Sequence, residues 1–584
     1  MRSLHSNPLI GYTVQGPRLY PVGMPEVLGY LDAHAEGQAK VIGNRVEFSL
    51  MLEDVDQRYQ LSWEMFEDYF NLTIERESSQ SLHAWMSSAW HIAFDSRTGP
   101  VTALGNILKK GEAGLLDCPV VMHVPGKGSL EIETDSPSCL VRFDSIRPLE
   151  LNTLEFKLGE DPQPEGDYIL NAGQYSATLH FKVCTPDLCE LDPNAPQTVQ
   201  DMARLRAVTS LVYRADTATF SNNGNLMHAP ICLDSWAELV AGFHSWHAVK
   251  PADFLQQTLE RWLVDAPGYA SGRTIVEENQ FYEDEYLQTG TSALFGLSIF
   301  LKDLASPEWF EEYRACIFEQ VRRMKLRDLD GDGLIESKER LGISGQYQWS
   351  TNWWDVLSFG WKDAFVNAFL YAALMTLGDV FATYNLPDQT QECRDWATNL
   401  RSHYVETFYN EETGWLGGWR SKDGQLHDYA FLFVNGAAVQ YGLVEDALAA
   451  EIMGKLWQEL AKSAFKDYTL GLPSNLWQIP DADMAQAMHG APMGVYENGG
   501  ATHSQARHFI SGLFTVGMQA EGDLLLEQLS RSLVNGTGFG GVGSGIDWRM
   551  WDGTPCGYEG LLCDQFGILV PAMQRWAKNY FNKK

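Results

Sequence analysis

The chain has 584 residues, 45% of them hydrophobic, and carries a formal net charge of -33 at a sequence pI near 4.7. This length exceeds one ordinary hydrophobic core, so we expect two domains, and the composition is not that of a disordered chain. The negative charge disfavours nucleic acid and anionic membranes as partners, because both require a basic surface. A small neutral or cationic substrate is compatible with this charge.

Residues 1–20 lack the long apolar run of a signal peptide, and no later stretch approaches the length needed to span a bilayer. The nine cysteines are scattered and odd in number, which favours a reducing compartment over a disulfide framework. We therefore expect a cytoplasmic protein without a membrane span. The sequence leaves the oligomeric state open.

Residues 1–192 are predicted to form an antiparallel β-sandwich. Turns rich in Gly, Pro, Asp and Asn separate short runs in which apolar and polar residues alternate, as at 45–50, 72–74 and 176–181. This alternation between turns is typical of half-buried strands. No carboxylate or histidine stands here where catalysis would need it, so we expect a structural or substrate-framing role.

Residues 193–584 show the helical period of about 3.6 residues instead. The predicted helical segments are 199–215, 235–247, 251–265, 288–303, 306–325, 361–383, 387–409, 430–442, 445–464, 501–519, 521–534 and 557–577. The segment 361–383 is apolar on all sides and should be buried, whereas 387–409 has one apolar stripe and should lie outside. Such alternation of inner and outer helices predicts an (α/α)6 barrel, in which the loops entering the inner helices meet at one mouth.

An acidic segment, Asp328–Glu339, has the spacing of a twelve-residue calcium loop, with acids at positions 1, 3, 5 and 12 and Gly at position 6. The predicted ligands are Asp328, Asp330, Asp332, Leu334 and Glu339. Gly342 and Gly345 interrupt any second helix of an EF-hand. We therefore expect one structural Ca²⁺ and no organic cofactor, with a metal-free acidic turn as the alternative.

Asp355 lies in a Trp353-Trp354-Asp355 turn just before the buried segment 361–383. A carboxyl group between indole rings loses hydration, which raises its pKa and suits it to donate a proton. The indoles can also lie flat against a sugar ring. We predict that Asp355 is the general acid of a carbohydrate site, and that Trp353, Trp354 and nearby Asp363 bind substrate.

Two smaller clusters precede the second and eighth predicted helices. Asp234 and Trp236 form the first, and His427 and Asp428 form the second. A carboxylate at a helix mouth can bind sugar hydroxyl groups, and an indole can stack on the ring. Asp234 would serve equally well as a helix N-cap. We assign all four residues to substrate binding while keeping the capping alternative open.

Glu497 and His503 flank two glycines that allow a ligand to approach the backbone closely, just before the tenth helix. Capping by Asn498 or Thr502 explains part of this motif, but not Glu497 beside His503. We predict that Glu497 is catalytic and that His503 contacts the substrate.

The densest polar and aromatic cluster lies at 545–560, before the last helix. Its candidate residues are Asp547, Trp548, Arg549, Trp551 and Glu559. An Arg stacked on a Trp is also a common surface arrangement. However, this cluster and the four before it all precede helices that apolarity alone assigns to the inner ring, which favours a shared functional mouth.

These residues resemble known glycosidases. The acidic segment, the aromatic turn at Asp355 and a helix with Leu-Tyr-Ala-Ala-Leu resemble the non-lysosomal glucosylceramidase (bile-acid β-glucosidase) family of (α/α)6 glycosidases, which implies that Asp355 is the acid/base. The Glu497–His503 run resembles cellobiose and chitobiose phosphorylases. The Trp548–Pro555 run is similar to the stretch where glucoamylases and processing α-glucosidases keep their base. One departure is Ser221-Asn222-Asn223-Gly224, which has no carboxylate at the position of the glucosylceramidase nucleophile.

We therefore predict a glycoside hydrolase acting on a small glycoside or oligosaccharide. A retaining enzyme needs a nucleophile about 5 Å from the acid, and an inverting one a base roughly 6.5–9.5 Å away. Without the matching nucleophile, inversion is expected, with Glu497 or Glu559 ranked above Asp547 as the base because each adjoins glycines. The alternatives are a disaccharide phosphorylase, with His503 holding phosphate, and a sugar epimerase or isomerase on the same barrel.

Overall fold

The computed structural model of the protein describes residues 11–13, 18–21, 31–32, 35–52, 56–85, 90–95, 102–107, 115–124, 128–146, 151–162, 168–184, 191–206, 212–214, 219–221, 230–242, 250–264, 275–277, 280–282, 286–535, 537, 545–557 and 567–577. Glu559 and Asn222–Gly224 lie outside these residues.

The N-terminal part of the chain consists of strands. They are β1 (Gly11–Thr13), β2 (Arg18–Pro21), β3 (Leu31–Asp32), β4 (Ala35–Ile42), β5 (Arg45–Leu52), β6 (Gln57–Met65), β7 (Tyr69–Ser78), β8 (Leu82–Trp85), β9 (Trp90–Asp95), β10 (Thr102–Ile107), β11 (Leu115–Val124), β12 (Gly128–Thr134), β13 (Cys139–Ile146), β14 (Leu151–Leu158), β15 (Glu160–Pro162), β16 (Tyr168–Leu170) and β17 (Gly173–Cys184).

These strands form two antiparallel sheets. The larger has the order β1-β9-β14-β13-β11-β12-β17-β7-β6-β5-β4, with β10 paired to β11, and the smaller has the order β15-β16-β8-β2-β3. In β6 the buried residues Gln57, Tyr59 and Leu61 alternate with exposed Arg58 and Gln60, as a sheet with one covered face requires. The antiparallel N-terminal part is thus confirmed, while the sandwich geometry and the boundary at 192 stay predictions.

The C-terminal part is mainly helical. Its helices are α1 (Gln197–Arg206), α2 (Leu233–Gly242), α3 (Pro251–Val264), α4 (Leu287–Asp303), α5 (Pro307–Lys325), α6 (Ala364–Thr383), α7 (Pro387–Phe408), α8 (Leu432–Gln440), α9 (Asp446–Lys462), α10 (Ala506–Thr515), α11 (Gln519–Asn535) and α12 (Leu569–Trp576). Short strands lie between them: β18 (Val212–Arg214), β19 (Thr219–Ser221), β20 (Ile275–Glu277), β21 (Gln280–Tyr282), β22 (Lys362–Asp363), β23 (Tyr409–Asn410), β24 (Trp415–Leu416), β25 (Trp419–Arg420), β26 (Leu426–His427), β27 (Leu472–Pro473) and β28 (Ala501–Thr502).

The even-numbered helices contact one another in cyclic order. Contacts join α2 to α4, α4 to α6, α6 to α8, α8 to α10 and α10 to α12, and α12 in turn contacts α2. Helices α4, α6 and α8 are buried along most of their length, whereas α7 buries only one stripe that includes Trp396 and Leu400. We call the even-numbered helices the inner ring.

Helix α6 is the most apolar member of the inner ring. Among the described residues it alone has the length and hydropathy of a membrane span, and 83% of that window is buried inside the protein. The expectation that no stretch reaches this length was therefore wrong on length and hydropathy. The burial is that of a core helix.

The starts of several inner helices lie side by side. Tyr286, directly before α4, contacts Asp355, which lies in the loop before α6, and Glu497, before α10, contacts Asp355 as well. Trp354 stacks on Phe433 at the start of α8. The loops that enter these inner helices therefore meet at one end.

Candidate active site

The loop that carries Asp355 is fixed by the buried carboxylate of Asp363. One oxygen of Asp363 caps α6 by accepting hydrogen bonds from Phe365 N at 2.8 Å and Val366 N at 3.2 Å. The other accepts from Thr351 Oγ1 at 2.8 Å and Asn352 Nδ2 at 2.9 Å. Burial raises the pKa of Asp363 to about 6. Because protein groups use both oxygens, the predicted substrate-binding role of Asp363 is replaced by one in holding the loop.

Asp355 itself is partly buried, and burial raises the pKa of its carboxyl group, as the sequence predicted. The Tyr286 hydroxyl group donates to Asp355 Oδ2 at 3.4 Å, while Oδ1 is buried and makes no hydrogen bond. Gln288 Oε1 accepts from Trp353 N at 2.8 Å, and its Nε2 and the Trp354 Nε1 are also buried without a hydrogen bond. Buried polar atoms are normally bonded, so these three atoms mark a polar interior next to the Asp355 turn.

Glu497 lies against the same turn. Its two carboxyl oxygens accept hydrogen bonds from Asp355 N at 3.1 Å and Val356 N at 2.9 Å. The carboxyl groups of Glu497 and Asp355 are also close enough for each to act on the pKa of the other. Burial, and then the nearby charge of Asp355, raise the pKa of Glu497 well above its usual range. The two carboxyl groups therefore form a pair that keeps one proton at a pH where isolated carboxyls are ionised.

This contact corrects the prediction that Glu497 is a base across the mouth. A base must leave room for a water molecule and the sugar between itself and the acid. A carboxyl group in hydrogen-bond contact with Asp355 leaves no such room. Glu497 instead binds the backbone N–H groups of the Asp355 turn.

Aromatic side chains join the loops at this point. Trp354 stacks on Phe433, with ring centroids 4.1 Å apart, and meets Trp548 edge-on at 5.9 Å. Trp548 also contacts Tyr496, which precedes Glu497, at 5.2 Å. Trp354 is only 1% exposed and Trp548 is also buried, so neither presents a face to a sugar. Their predicted stacking role is corrected to one of holding three loops together.

Two other indoles keep partly open surfaces. Trp353 is half-buried beside Tyr286, at 6.0 Å between ring centroids. Trp551 is half-buried, and its Nε1 donates to Gly499 O at 2.7 Å. A half-buried indole can still offer one face to a sugar ring. For these two residues the stacking role stays a prediction.

The segment 545–557 joins the loop of Glu497 through backbone pairing. Arg549 N donates to Ala501 O at 2.9 Å, and Ala501 N donates to Arg549 O at 2.8 Å. Asp547 is buried and packs against Gly557, where a Cβ atom would lie 2.0 Å from Asp547 Oδ1. The Arg549 guanidinium donates to Thr537 O. Arg549 therefore has a protein partner, while Asp547 lies next to the Trp548 contact with the acid loop.

Asp234 and Trp236 are core residues. The Asp234 carboxylate forms a buried ion pair with Arg507, which also pairs with Glu238, and it accepts from Ser292 Oγ at 2.6 Å. Trp236 is 1% exposed. Their predicted contact with substrate is not supported, because a charge paired this deeply stabilises the inner ring rather than meeting a ligand.

His427 and Asp428 are likewise used by the protein. His427 Nδ1 lies 2.9 Å from Asp483 Oδ2, its Nε2 lies 3.1 Å from Ser421 Oγ, and its ring stacks on Trp419. This resembles a Ser-His-Asp relay, but Ser421 is 1% exposed and donates its proton to Asp423 at 2.5 Å. An inaccessible hydroxyl group that points elsewhere is not a nucleophile.

The Asp428 carboxylate organises its own loop. It accepts hydrogen bonds from Asn410 Nδ2 at 2.9 Å, Thr413 Oγ1 at 2.8 Å and Trp415 Nε1 at 2.9 Å. It also accepts from Ala430 N at 3.0 Å, directly before α8. The substrate-binding role predicted for His427 and Asp428 is therefore corrected to a structural one.

His503 faces away from the acid pair. Its Nε2 lies 2.8 Å from Ser532 Oγ on α11, which is not part of the inner ring. Burial lowers the pKa of His503 to about 3, so the ring is neutral at ordinary pH. A buried neutral histidine directed at α11 is poorly suited to hold phosphate, which removes the observation that favoured a phosphorylase.

The ammonium group of Lys362 lies among the carboxylates of the predicted calcium loop. Lys362 Nζ lies 2.7 Å from Asp330 Oδ2 and 2.5 Å from Asp332 Oδ2. Oxygens of Asp328, Asp330 and Asp332 do lie within 4.8 Å of one another. However, the Glu339 side chain, which should close the ligand set, is exposed. The residues present therefore do not fit the predicted Ca²⁺ site.

Sequence reasoning missed three residues at this end of the inner ring: Tyr286, Gln288 and Lys362. Tyr286 and Gln288 lie at the start of α4 and contact the Asp355 turn, so the rule that singled out Asp355, an unusual polar group before an apolar helix, would have found Tyr286 too. For Lys362, the available signal is a lysine next to Asp363, which can pair with the carboxylates of the acidic segment.

No family model matches the chain, and no curated protein matches it. Among solved structures, it is similar to a rhamnosidase from Klebsiella oxytoca with rhamnose bound, at 12% identity over 97% of this chain and 96% of that chain, with a TM-score of 0.44. It is also similar to an α-L-rhamnosidase from Dictyoglumus thermophilum, at 11% identity over 84% and 50% of the two chains, with a TM-score of 0.42. A third is a GH63 mannosylglycerate hydrolase from Thermus thermophilus, at 13% identity, 61% and 96% coverage and a TM-score of 0.41. At these identities and TM-scores, the likenesses by themselves assign no activity.

Proposed function

We propose that the protein is a glycoside hydrolase in which Asp355, supported by Glu497, is the general acid. The observation that carries this proposal is the Asp355–Glu497 carboxyl pair at the starts of the inner helices. The raised pKa of both carboxyl groups favours a proton on the pair, which Asp355 can deliver to a leaving group. The half-buried side chains of Asp355 and Trp353 in this turn are the kind of groups that bind a sugar.

The architecture that we propose is the (α/α)6 barrel. Its support is the cyclic order of contacts among the even-numbered helices, five of which, α2 to α10, are each followed by a helix that packs against them. In this arrangement the loops entering the inner helices form one mouth, and Asp355 and Glu497 come from two of these loops. The resemblance of the Asp355 turn to the glucosylceramidase family fits the same architecture.

Asp547 is our choice for the base. It is buried, and its neighbour Trp548 contacts both Trp354 and Tyr496, the residues that adjoin the acid pair. Glu559 remains the competing candidate from the same segment, and it lies outside the described residues. The sequence has no carboxylate at the position that matches the glucosylceramidase nucleophile, which favours an inverting mechanism with Asp547 as the base.

The reaction then runs in one displacement. Asp355 gives its proton to the glycosidic oxygen while the bond from that oxygen to the anomeric carbon breaks. Asp547 takes a proton from the water molecule whose oxygen forms the new bond at the anomeric carbon, on the opposite face. Glu497 holds Asp355 in place and shares its proton between turnovers. Solvent then restores the proton to the acid pair and removes one from Asp547.

A screen of aryl glycosides and disaccharides tests this function directly. We expect free monosaccharide to appear in phosphate-free buffer, and an Asp355→Asn protein to release much less. A product that keeps both sugars linked, with altered configuration, would indicate the epimerase alternative. A strict need for phosphate would indicate a phosphorylase. No observation at the site favours either, and the cytoplasmic location stays a proposal.

A further inference from the structure

We propose that the ammonium group of Lys362 takes the place of Ca²⁺ in the acidic segment Asp328–Glu339, so that this calcium-like loop is independent of metal. The inference does not rest on the proposed function. It follows from the disagreement between a sequence with the spacing of a calcium loop and the cation that the structure places inside it.

The first observation is the position of the lysine. Its Nζ lies 2.7 Å from Asp330 Oδ2, 2.5 Å from Asp332 Oδ2 and 3.2 Å from Glu336 Oε1. Lys362 is 5% exposed and Glu336 is fully buried. A buried ammonium group that donates hydrogen bonds to Asp330 and Asp332 supplies the positive charge that these two carboxylates need, and burial raises the pKa of neighbouring Glu336 to about 8. A Ca²⁺ ion would have to bind the same oxygens at about 2.3–2.6 Å, which the ammonium prevents.

The second observation is the path of the chain after the loop. In an EF-hand a helix returns the glutamate of position 12 to the ion. Here Glu336 forms a β-bridge with Lys362, and Ser337 N donates to Trp361 O at 3.0 Å. The chain thus runs alongside β22, and the Glu339 side chain is left exposed. Glu336 turns inward instead, where its Oε2 accepts from Leu329 N at 2.7 Å.

The third observation is that protein hydrogen bonds already hold the loop's shape. Asp328 Oδ1 accepts from Gly331 N at 2.9 Å, and Asp332 Oδ1 accepts from Leu334 N at 2.9 Å. The Ile335 backbone N–H is bound by Asn367 of α6 at 2.8 Å. These bonds give the loop its compact form, and Lys362 joins it to the strand that leads directly into Asp363 and α6.

The experiment compares wild-type protein with Lys362→Met in chelator and in millimolar CaCl₂. For the wild-type chain we expect no Ca²⁺ by metal analysis after gel filtration, and the same Tm in both solutions. Lys362→Met leaves Asp330, Asp332 and Glu336 without their cation. Its Tm should fall in chelator and recover in part with CaCl₂, because the freed carboxylates then accept the ion.

Two variants serve as controls. Lys455 on α9 also pairs with a carboxylate, Glu451 at 2.6 Å, but is 39% exposed, so Lys455→Met should leave the Tm unchanged in both solutions. Lys362→Arg keeps the positive charge and should stay insensitive to CaCl₂. If Lys362→Met does not fold, the wild-type and Lys362→Arg measurements decide.

Several results would overturn the inference. One is stoichiometric Ca²⁺ in the wild-type protein, and another is a wild-type Tm that falls in chelator and returns with CaCl₂. A folded Lys362→Met protein whose Tm is the same in chelator and CaCl₂ would also contradict it, because the lysine would then not occupy a cation position.

Discussion

The carboxyl group of Glu497 accepts hydrogen bonds from the backbone N–H groups of Asp355 at 3.1 Å and Val356 at 2.9 Å, and the charge of Asp355 raises the pKa of Glu497. The two residues are far apart in the sequence and lie in loops that lead into different inner helices. Their contact keeps a proton next to the aromatic turn, since two neighbouring carboxyls cannot both ionise easily. The pH behaviour of the pair therefore offers a direct test of its role.

Glu497→Gln should move the alkaline limb of the pH profile of kcat/KM to lower pH. In the wild-type protein, burial and the charge of Asp355 raise the pKa of Glu497 well above its usual range, so the pair loses its last proton at a pH well above the usual range of carboxyl groups. In the variant a single carboxyl, Asp355, carries the proton, and only burial raises its pKa. The proton is then lost at lower pH, and with it the acid form of the enzyme.

Asp363→Asn is the matched control for this shift. Asp363 is also buried and also accepts backbone N–H groups at the start of α6, but it does not face Asp355. It should lower the Tm and leave the alkaline limb in place. If the alkaline limb of kcat/KM lies at the same pH in Glu497→Gln as in the wild-type protein, the pair does not share the catalytic proton.

Asp355→Asn should lower kcat/KM by about 10²–10⁴-fold on glycosides with poor leaving groups, the usual contribution of a general acid. The loss should be much smaller on aryl glycosides of acidic phenols, because these leave without protonation. Asp379→Asn, on an exposed pair with Arg394 near the end of α6, should leave both rates unchanged. Equal losses on both substrate classes would argue against Asp355 as the acid.

The helices were predictable because their signal is local. The apolar faces of α6 and the single stripe of α7 recur at the helical period, and these features are written in consecutive residues. The raised pKa of Asp355 was also foreseen, since two adjacent indoles imply burial. The prediction of which loops precede inner helices rests on the same local signal.

Side-chain partners were less predictable because they come from distant segments. From the sequence, Trp354 is expected to be an exposed stacking surface, but in the structure Phe433, on another helix, stacks on it. From the sequence, Asp234 is expected to bind substrate or cap a helix, but in the structure it pairs with Arg507. Likewise, the acidic segment has the spacing of a calcium loop, but in the structure Lys362 pairs with its carboxylates. Each error has the same origin, which is that a charge or a ring was interpreted without the neighbour that neutralises or covers it.

His503→Gln should make stability less sensitive to acid. The pKa of His503 is about 3 in the folded protein, against about 6.5 when unfolded. Between these values the unfolded chain binds the extra proton, so stability falls as the pH drops from 6.5 towards 3. At pH 4 this amounts to about 3 kcal/mol. Denaturant unfolding at pH 7 and pH 4 measures it.

Ser532→Ala controls for the lost contact. It removes the hydrogen-bond partner of His503 at 2.8 Å but keeps the titrating ring. It should lower the free energy of unfolding at both pH values and leave their difference close to that of wild type. If the free energy of unfolding of His503→Gln differs between pH 7 and pH 4 by as much as that of the wild-type protein, the assignment of His503 as buried and neutral is wrong.

The final prediction separates Asp547 from Glu559 and fixes the stereochemistry. Asp547→Asn should lower kcat/KM by about 10²–10⁴-fold on good and poor leaving groups alike, because the attacking water then loses its base whatever group departs. Glu559→Gln should retain most activity, and NMR of the wild-type reaction should show the inverted anomer first.

If Glu559→Gln is the inactive variant, the base assignment moves to that residue while inversion stands. A first-formed product with retained configuration would exclude inversion, and would require a nucleophile about 5 Å from Asp355 in place of a water-activating base.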